Sequence, residues 1–384
     1  MRIAINAWFW DSPSTGSGQY TRRLVEHLSA AEPDLELVLV KSRGWGFQAS
    51  RFRSKVSDCL QPETRNLKPE TSDLKKVWFE QVTFPRACRR LKADVAHVPY
   101  WAPPLAASIP TLVTIHDLIP LLLSEYRGGL LVRLYAALVS RTARSARLVV
   151  TDSEASRQDI IVNLRIPAER VRVVYLAADE RFTPTPAPED VNVRMRYGLP
   201  ARYVLYLGGF DVRKNVATVL AACRRAAPAI GEGCPLVIAG RLPTEDTPFT
   251  PNPRRLAQEY GMDERSVHFT GFVDDADKPA LYRGAVAFVF PSRYEGFGLP
   301  PLEALACGTP VVGSNASSIP EVVGNAGVLR PPDDAEGMAE ALAQLATNAD
   351  FRAELSRRAL AQATRFSWER TAQETLAAYR DASA

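Results

Sequence analysis

Short β-branched runs alternate with amphipathic stretches along nearly the whole chain, and no other feature limits its possible folds as strongly. In the first half such runs fall at 2–8, 36–41, 94–99, 111–117, 147–153 and 171–176; in the second, at 203–208, 235–240, 267–272, 285–291, 310–314 and 327–330. Between them, 19–31, 130–146 and 215–227 carry apolar residues at helical spacing. Strands this continuously apolar need cover on both faces, which parallel sheets flanked by helices provide. The expectation is an α/β protein. Thr183-Pro184-Thr185-Pro186-Ala187-Pro188 separates the two sets, and prolines, lacking an N–H and fixed in φ, cannot enter a sheet interior. The pattern therefore predicts a first domain at 1–182, a linker at 183–197, a second domain at 198–364 and a terminal helix at 365–384. That last helix, opening on Ser367 as N-cap, is expected to pack back on the first domain.

A chain of 384 residues exceeds one small core, and 46% hydrophobic with 23% charged residues argues against disorder or a fibrous repeat. Its longest apolar runs, near 118–123 and 285–291, fall well short of the roughly 20 residues that span a bilayer. The N-terminus enters a strand pattern with no apolar leader, and Cys59, Cys88, Cys223, Cys234 and Cys307 lack C-x-x-C spacing. A reducing, cytoplasmic setting is expected. His27, His97, His116 and His268 are dispersed, and Asp274-Asp275 is not an Asp-x-Asp motif, so neither a metal nor another cofactor is expected.

The net charge is +4, with the basic excess in the first half. Arg86, Arg89, Arg90 and Lys92 form one cluster, and Arg133, Arg141, Arg144 and Arg147 another. They read equally as solvated helix faces or as a peripheral contact with anionic lipid at the inner face of a membrane. No basic motif interleaved with aromatics suggests nucleic acid.

Ligands of parallel α/β sheets bind beyond the carboxyl ends of strands, where helix N-termini present unpaired N–H groups. The segment Phe290-Pro291-Ser292-Arg293-Tyr294-Glu295-Gly296-Phe297-Gly298-Leu299-Pro300-Pro301-Leu302-Glu303 has that form: a buried strand, a glycine-bearing loop, then prolines opening a helix. Gly296 and Gly298 allow close backbone approach, and the amides near Leu299 suit a diphosphate. Glu295 in the loop and Glu303, expected in the first helical turn, are apt acceptors for sugar or ribose hydroxyls. Gly208-Gly209-Phe210-Asp211-Val212-Arg213-Lys214-Asn215 places two cations at another strand end, able to neutralise a departing nucleoside diphosphate; taken alone, the pair reads as readily as surface charge. In the first half, Ser14-Thr15-Gly16-Ser17-Gly18-Gln19-Tyr20-Thr21 is a plain strand-to-helix turn or an incomplete dinucleotide loop, with Thr21 where G-x-G-x-x-G needs its last glycine. His116, in Thr114-Ile115-His116-Asp117, ends a strand at the ligand edge, and His97 reads as a packing residue or part of an acceptor surface.

The block around Glu295 and Glu303, with its glutamates eight positions apart, resembles the signature of the retaining glycosyltransferase family 4, mannosyltransferase-like members included. That resemblance implies a GT-B fold, two Rossmann-like domains whose parallel sheets face each other across a cleft. It implies an enzyme moving a hexose from a nucleotide diphosphate-sugar, GDP-mannose being the favoured donor, to a hydroxyl of a glycan or lipid-linked acceptor in polysaccharide biosynthesis. His116, Glu295 and Lys214 are then the catalytic set. Gly16, Ser17, Gly18, Arg213, Lys214, Glu295, Gly296, Phe297, Gly298, Leu299 and Glu303 bind the donor, with Glu295 on the transferred sugar and Glu303 on the ribose. Some family members carry a further arginine where this chain has Gly208-Gly209. A noncatalytic nucleotide-sugar-binding protein and a nucleotide-sugar epimerase remain the alternative readings. A nicotinamide oxidoreductase fits poorly because the glycine loop is incomplete. Acceptor choice is assigned to first-domain loops such as 43–69.

Overall fold

The computed structural model describes residues 1–12, 15–44, 46–52, 72–231 and 233–384. Pro13, Ser14, Trp45, Cys59, Glu232 and most of the 43–69 acceptor loop therefore lie outside the described residues. The chain divides into two compact units, Met1–Leu176 with Ser367–Ala384, and Ala177–Phe366.

The first unit holds β1 (Arg2–Asn6), β2 (Glu36–Arg43), β3 (Gly46–Arg51), β4 (Val95–Val98), β5 (Thr111–Thr114), β6 (Leu148–Thr151) and β7 (Val171–Val173), in spatial order β3-β2-β1-β4-β5-β6-β7. Its central strands β4, β5 and β6 are buried at every position, as unbroken apolar runs covered by helices require. The sheet is not wholly parallel. β3 pairs antiparallel with β2, and its sequence, GFQASR, is mostly exposed and lacks an apolar run; it is an edge strand built by a hairpin.

The second unit holds β8 (Val204–Leu207), β9 (Leu236–Ala239), β10 (Val267–Gly271), β11 (Ala287–Phe290), β12 (Val311–Ser314) and β13 (Gly327–Arg330), all parallel, in order β10-β9-β8-β11-β12-β13. Strand order reverses between β1 and β4 in one unit and between β8 and β11 in the other. Such reversals open a crevice at the carboxyl edge of a sheet. Arg213, Lys214 and Glu295 all follow the two strands that flank the reversal in the second unit.

The segment 183–197, set apart above as a linker, lies within the second unit, as do residues 177–182. Asp190–Arg196 is a helix with Val193 buried, and Arg283 donates from Nε to Asp190 Oδ2 at 2.8 Å. The prolines keep the preceding stretch out of the sheet without detaching it from the core.

The terminal helix, Trp368–Ser383, starts at Ser367, whose hydroxyl accepts from Arg370 N; a cap of this kind contributes about 1 kcal/mol. The helix packs within the first unit, not the second. Thr371 Oγ1 donates to Tyr175 O at 2.6 Å, Arg380 pairs with Glu32 at 2.9 Å, and Trp368 stacks on His27. His97, fully buried, is held on both ring nitrogens, at 2.6 Å by Tyr379 Oη and at 2.9 Å by Thr114 Oγ1. Burial pushes its pKa down to about 3, so it is a neutral packing residue joining β4 to the terminal helix.

Candidate active site

In the second unit, the loops after β8 and β11 bring together a cation pair and a carboxylate 81 residues apart in sequence. Lys214 Nζ lies 2.8 Å from Glu295 Oε1 and Arg213 Nη1 lies 2.7 Å from Glu295 Oε2, with all three side chains nearly buried. Arg213 also donates to Tyr294 O at 2.8 Å, and Lys214 Nζ sits 5.2 Å from the Phe290 ring centroid. Burial pushes the Glu295 carboxyl up, but Lys214 and Arg213 outweigh it and hold it below the usual carboxylate range. Asp211 Oδ1 stands 3.5 Å from Arg213 Nε, so the cluster carries two cations and two anions and is charge-balanced at the strand end.

Asn215 fixes where those cations stand. It adopts a left-handed conformation, φ 57°, between the short turn Val212–Lys214 and the helix Val216–Ile230. Asparagine tolerates this region better than most residues. Its Nδ2 donates to Pro332 O at 2.8 Å and to Asp333 Oδ1 at 3.2 Å, tying the loop after β8 to the loop after β13.

The loop after β11 is fastened by serines to which the sequence reading gave no role. Ser318 Oγ donates its one proton to Phe297 O at 2.6 Å, with Glu295 O also within reach at 2.9 Å, and Ser317 Oγ donates to Glu295 O at 2.5 Å. Gly298, at φ 114°, caps the helix Leu299–Ala306. A Cβ there would meet Ile319 Cδ1 at 3.1 Å besides carrying a backbone angle L-residues avoid. Pro300 and Pro301 remove two of the N–H groups that a helix start normally offers, and Leu302 N is bonded to Gly298 O. This helix start therefore offers fewer N–H groups to an anion than the glycine-proline pattern suggested.

Glu303 lies one turn into that helix, not in its first turn, and apart from the Glu295 cluster. Tyr282 Oη donates to its Oε2 at 3.0 Å. Burial raises its pKa to about 7, against the opposing pull of Lys278 and the Tyr282 hydroxyl.

In the first unit the helix begins at Gly16, three residues before its expected start, so Gly16, Ser17 and Gly18 form a helical turn and not a loop. Thr15 Oγ1 accepts from Gly18 N at 3.1 Å. A Cβ on Gly18 would stand 2.2 Å from Ser12 O and 2.8 Å from Phe9 O, so packing alone demands glycine there; at Gly16 it would meet nothing. His116 follows β5, its ring edge-on to Tyr20 at 4.8 Å between centroids, and its Nδ1 lies 2.6 Å from Asp152 Oδ2. Asp152, at the end of β6, went unnoticed in the sequence.

Among the described residues no three His, Cys, Asp or Glu side chains form a metal-ligand group, and no helix is long and apolar enough to cross a membrane. A preorganised Arg–Lys pair at a strand end, a strapped glycine loop opening a helix and a half-buried carboxylate beyond it suit an anionic, hydroxyl-rich ligand such as a nucleotide diphosphate-sugar.

Comparison with known proteins agrees. Residues 198–362 match the family described as glycosyl transferases group 1, and residues 14–182 match Glycosyltransferase Family 4. The chain is 32% identical over 373 residues to O-antigen chain mannosyltransferase B of Escherichia coli, covering 96% of each. It is 34% identical over 265 residues to the serotype-specific mannosyltransferase WbdA of the same species, covering 68% of this chain and 32% of that one; it spans about a third of WbdA. Among solved structures, sucrose-phosphate synthase from Thermosynechococcus elongatus superposes with a TM-score of 0.71 at 24% identity, covering 99% of this chain and 98% of that one, and so shares the two-unit GT-B fold. With both units matched and a full-length relative at this identity, the chain belongs to the family 4 glycosyltransferases.

Proposed function

We propose that this glycosyltransferase moves mannose from GDP-mannose, with retention of anomeric configuration, to a hydroxyl of a glycan or lipid-linked acceptor. The observation that carries the reading is the Arg213–Glu295–Lys214 cluster; the full-length relative named as a mannosyltransferase supports the choice of sugar. As the bond to the anomeric carbon breaks, negative charge gathers on the leaving diphosphate. Arg213 and Lys214, held in place before the reaction, stabilise that charge. Glu295, anchored through its backbone by Ser317 and Ser318, faces the hexose, and Glu303 accepts from the ribose hydroxyls. Such a carboxylate–cation cluster also argues against a purely noncatalytic binding protein, which needs no carboxylate beside the phosphate cations. The experiment is a thermal-shift screen of the full chain against GDP-mannose, UDP-sugars and dTDP-rhamnose; stabilisation by a UDP-sugar but not by GDP-mannose overturns the donor.

Two predictions arise here. Because Arg213 and Lys214 take the place of a divalent ion, EDTA should leave transfer intact; loss of activity, restored by Mg²⁺ or Mn²⁺, would refute a metal-free mechanism. Glu303 supplies the second. An acid raised to about 7 is mostly protonated at pH 6 and mostly ionised at pH 8, and only the carboxylate accepts from both ribose hydroxyls. GDP affinity measured by calorimetry should therefore rise between pH 6 and 8. In Glu303→Gln the Glu303-dependent part of that rise should vanish; identical pH dependence in both proteins rules out the ribose role.

A cytoplasmic enzyme with a peripheral membrane contact is part of the same proposal. Leu130, Leu131 and Leu134 are exposed at the start of the helix Leu130–Ala143, beside exposed Arg133, a mixture suited to an anionic interface. Arg144 is committed elsewhere, donating from Nε to Leu164 O at 2.7 Å. Flotation with vesicles containing anionic lipid tests the contact.

A further inference from the structure

β5 and β6 pair in parallel with Leu112 opposite Leu148, Val113 opposite Val149 and Thr114 opposite Val150. Continued two residues past the strand ends, the same register sets His116 opposite Asp152. The ladder does continue: Ile115 N donates to Val150 O at 2.8 Å. Residues two apart on a strand point to the same face, so pairing geometry alone delivers the carboxylate to the imidazole, Nδ1 to Oδ2 at 2.6 Å. The next turn secures the His116 backbone as well. Ser153 caps the helix Glu154–Leu164 by accepting from Ser156 N at 3.0 Å, and Ser156 Oγ donates to His116 O at 3.1 Å. One strand-to-helix turn thus grips His116 by its ring and by its main chain.

Two buried atoms of the pair have no hydrogen-bond partner among the described residues: Asp152 Oδ1 and His116 Nε2. Asp152, almost wholly buried, therefore has the His116 N–H as its one side-chain hydrogen bond. An unpaired buried carboxylate is costly, so the bond is strongly favoured and fixes the proton on Nδ1. With Nδ1 committed, Nε2 makes no hydrogen bond of good geometry, has the Pro99 carbonyl as its near neighbour when the ring is charged, and is the ring atom open to a ligand.

We infer that Asp152 is the positioning residue for His116: it holds Nδ1–H, sets the plane of the ring and orients Nε2 toward a ligand hydroxyl. This rests on the catalytic role that the family resemblance implies for His116. Around the imidazole stand Asp152, its chain neighbour Asp117, Tyr20 edge-on from the first helix, and His97 beyond Thr114. Burial opposes charge on the ring. The Asp152 carboxylate and its hydrogen bond, Asp117 and the Pro99 carbonyl outweigh it, so His116 titrates above an ordinary histidine. Tyr20 stays protonated, and His97 stays neutral.

The test is ¹⁵N–¹H NMR of the four histidines in the full-length chain, with His116 assigned through His116→Gln. The expected result is a His116 proton resident on Nδ1 and a titration midpoint that falls by about one pH unit or more in Asp152→Asn, with Asp152→Glu recovering part of the shift. The signals of His27, His97 and His268 report whether the fold is kept. Turnover of Asp152→Asn should drop about tenfold or more, and Asp152→Asn combined with His116→Gln should be no slower than His116→Gln alone, because Asp152 acts through His116. An unchanged His116 midpoint and tautomer in Asp152→Asn overturns the inference, as does a double variant slower than His116→Gln. If the NMR shift occurs while His116→Gln turns over normally, the Asp152–His116 coupling stands and the catalytic role of His116 falls.

Discussion

Lys214→Ala is expected to lower kcat by about 10²–10³-fold, the usual loss when one preorganised donor to developing charge is removed, while the protein remains folded. The Lys214 ammonium bonds to Glu295 at 2.8 Å, and on the proposed mechanism it shifts toward the diphosphate as charge gathers there. Removing it leaves a nearly buried carboxylate, which on its own would cost several kcal/mol. Here Arg213 remains 2.7 Å from the other oxygen, so Glu295 stays paired and the structural loss is small. Steady-state kinetics beside a thermal melt separate the two effects. Near-normal turnover in a folded Lys214→Ala protein removes Lys214 from the mechanism.

Glu295→Gln should do something different. The substitution keeps shape but deletes the anion that now occupies both Lys214 and Arg213. With that competitor gone the cations are freer for phosphate, so GDP should bind as tightly as before or more tightly. Transfer should nonetheless fall by about 10²-fold, because a carboxylate beside a sugar that develops positive charge is lost. Calorimetry with GDP and initial rates with donor and acceptor give the two numbers. Weaker GDP binding together with unchanged turnover contradicts the assignment of Glu295 to the sugar.

Much of the fold was legible because apolar runs in covered parallel strands leave a continuous signal: each run from Arg2–Asn6 to Gly327–Arg330 became a strand. β3 was not legible, since an edge strand exposed on most of its length needs no apolar run. The helix start at Gly16 was hidden because two glycines suggest a loop, whereas Gly18 is there to clear Ser12 O and Phe9 O. At the candidate site the residue types were readable and their partners were not. Arg213, Lys214 and Glu295 meet only because β8 and β11 are neighbours, a fact of topology that no local spacing contains. Asp152 was invisible for the same reason, although pairing the two runs at 111–117 and 147–153 in register would have set it beside His116. Asn215, Ser317 and Ser318 act by holding loops, through hydrogen bonds that leave no pattern in sequence.

The central claim, retaining transfer of mannose from GDP-mannose, is tested most directly by following the full-length chain with GDP-mannose and a mannose-terminated acceptor by proton NMR. The account predicts that GDP and a new α-mannosidic anomeric signal appear together in equal amounts. A β-mannosidic product contradicts retention, and conversion of the nucleotide-sugar to an epimer with the acceptor untouched contradicts transfer itself.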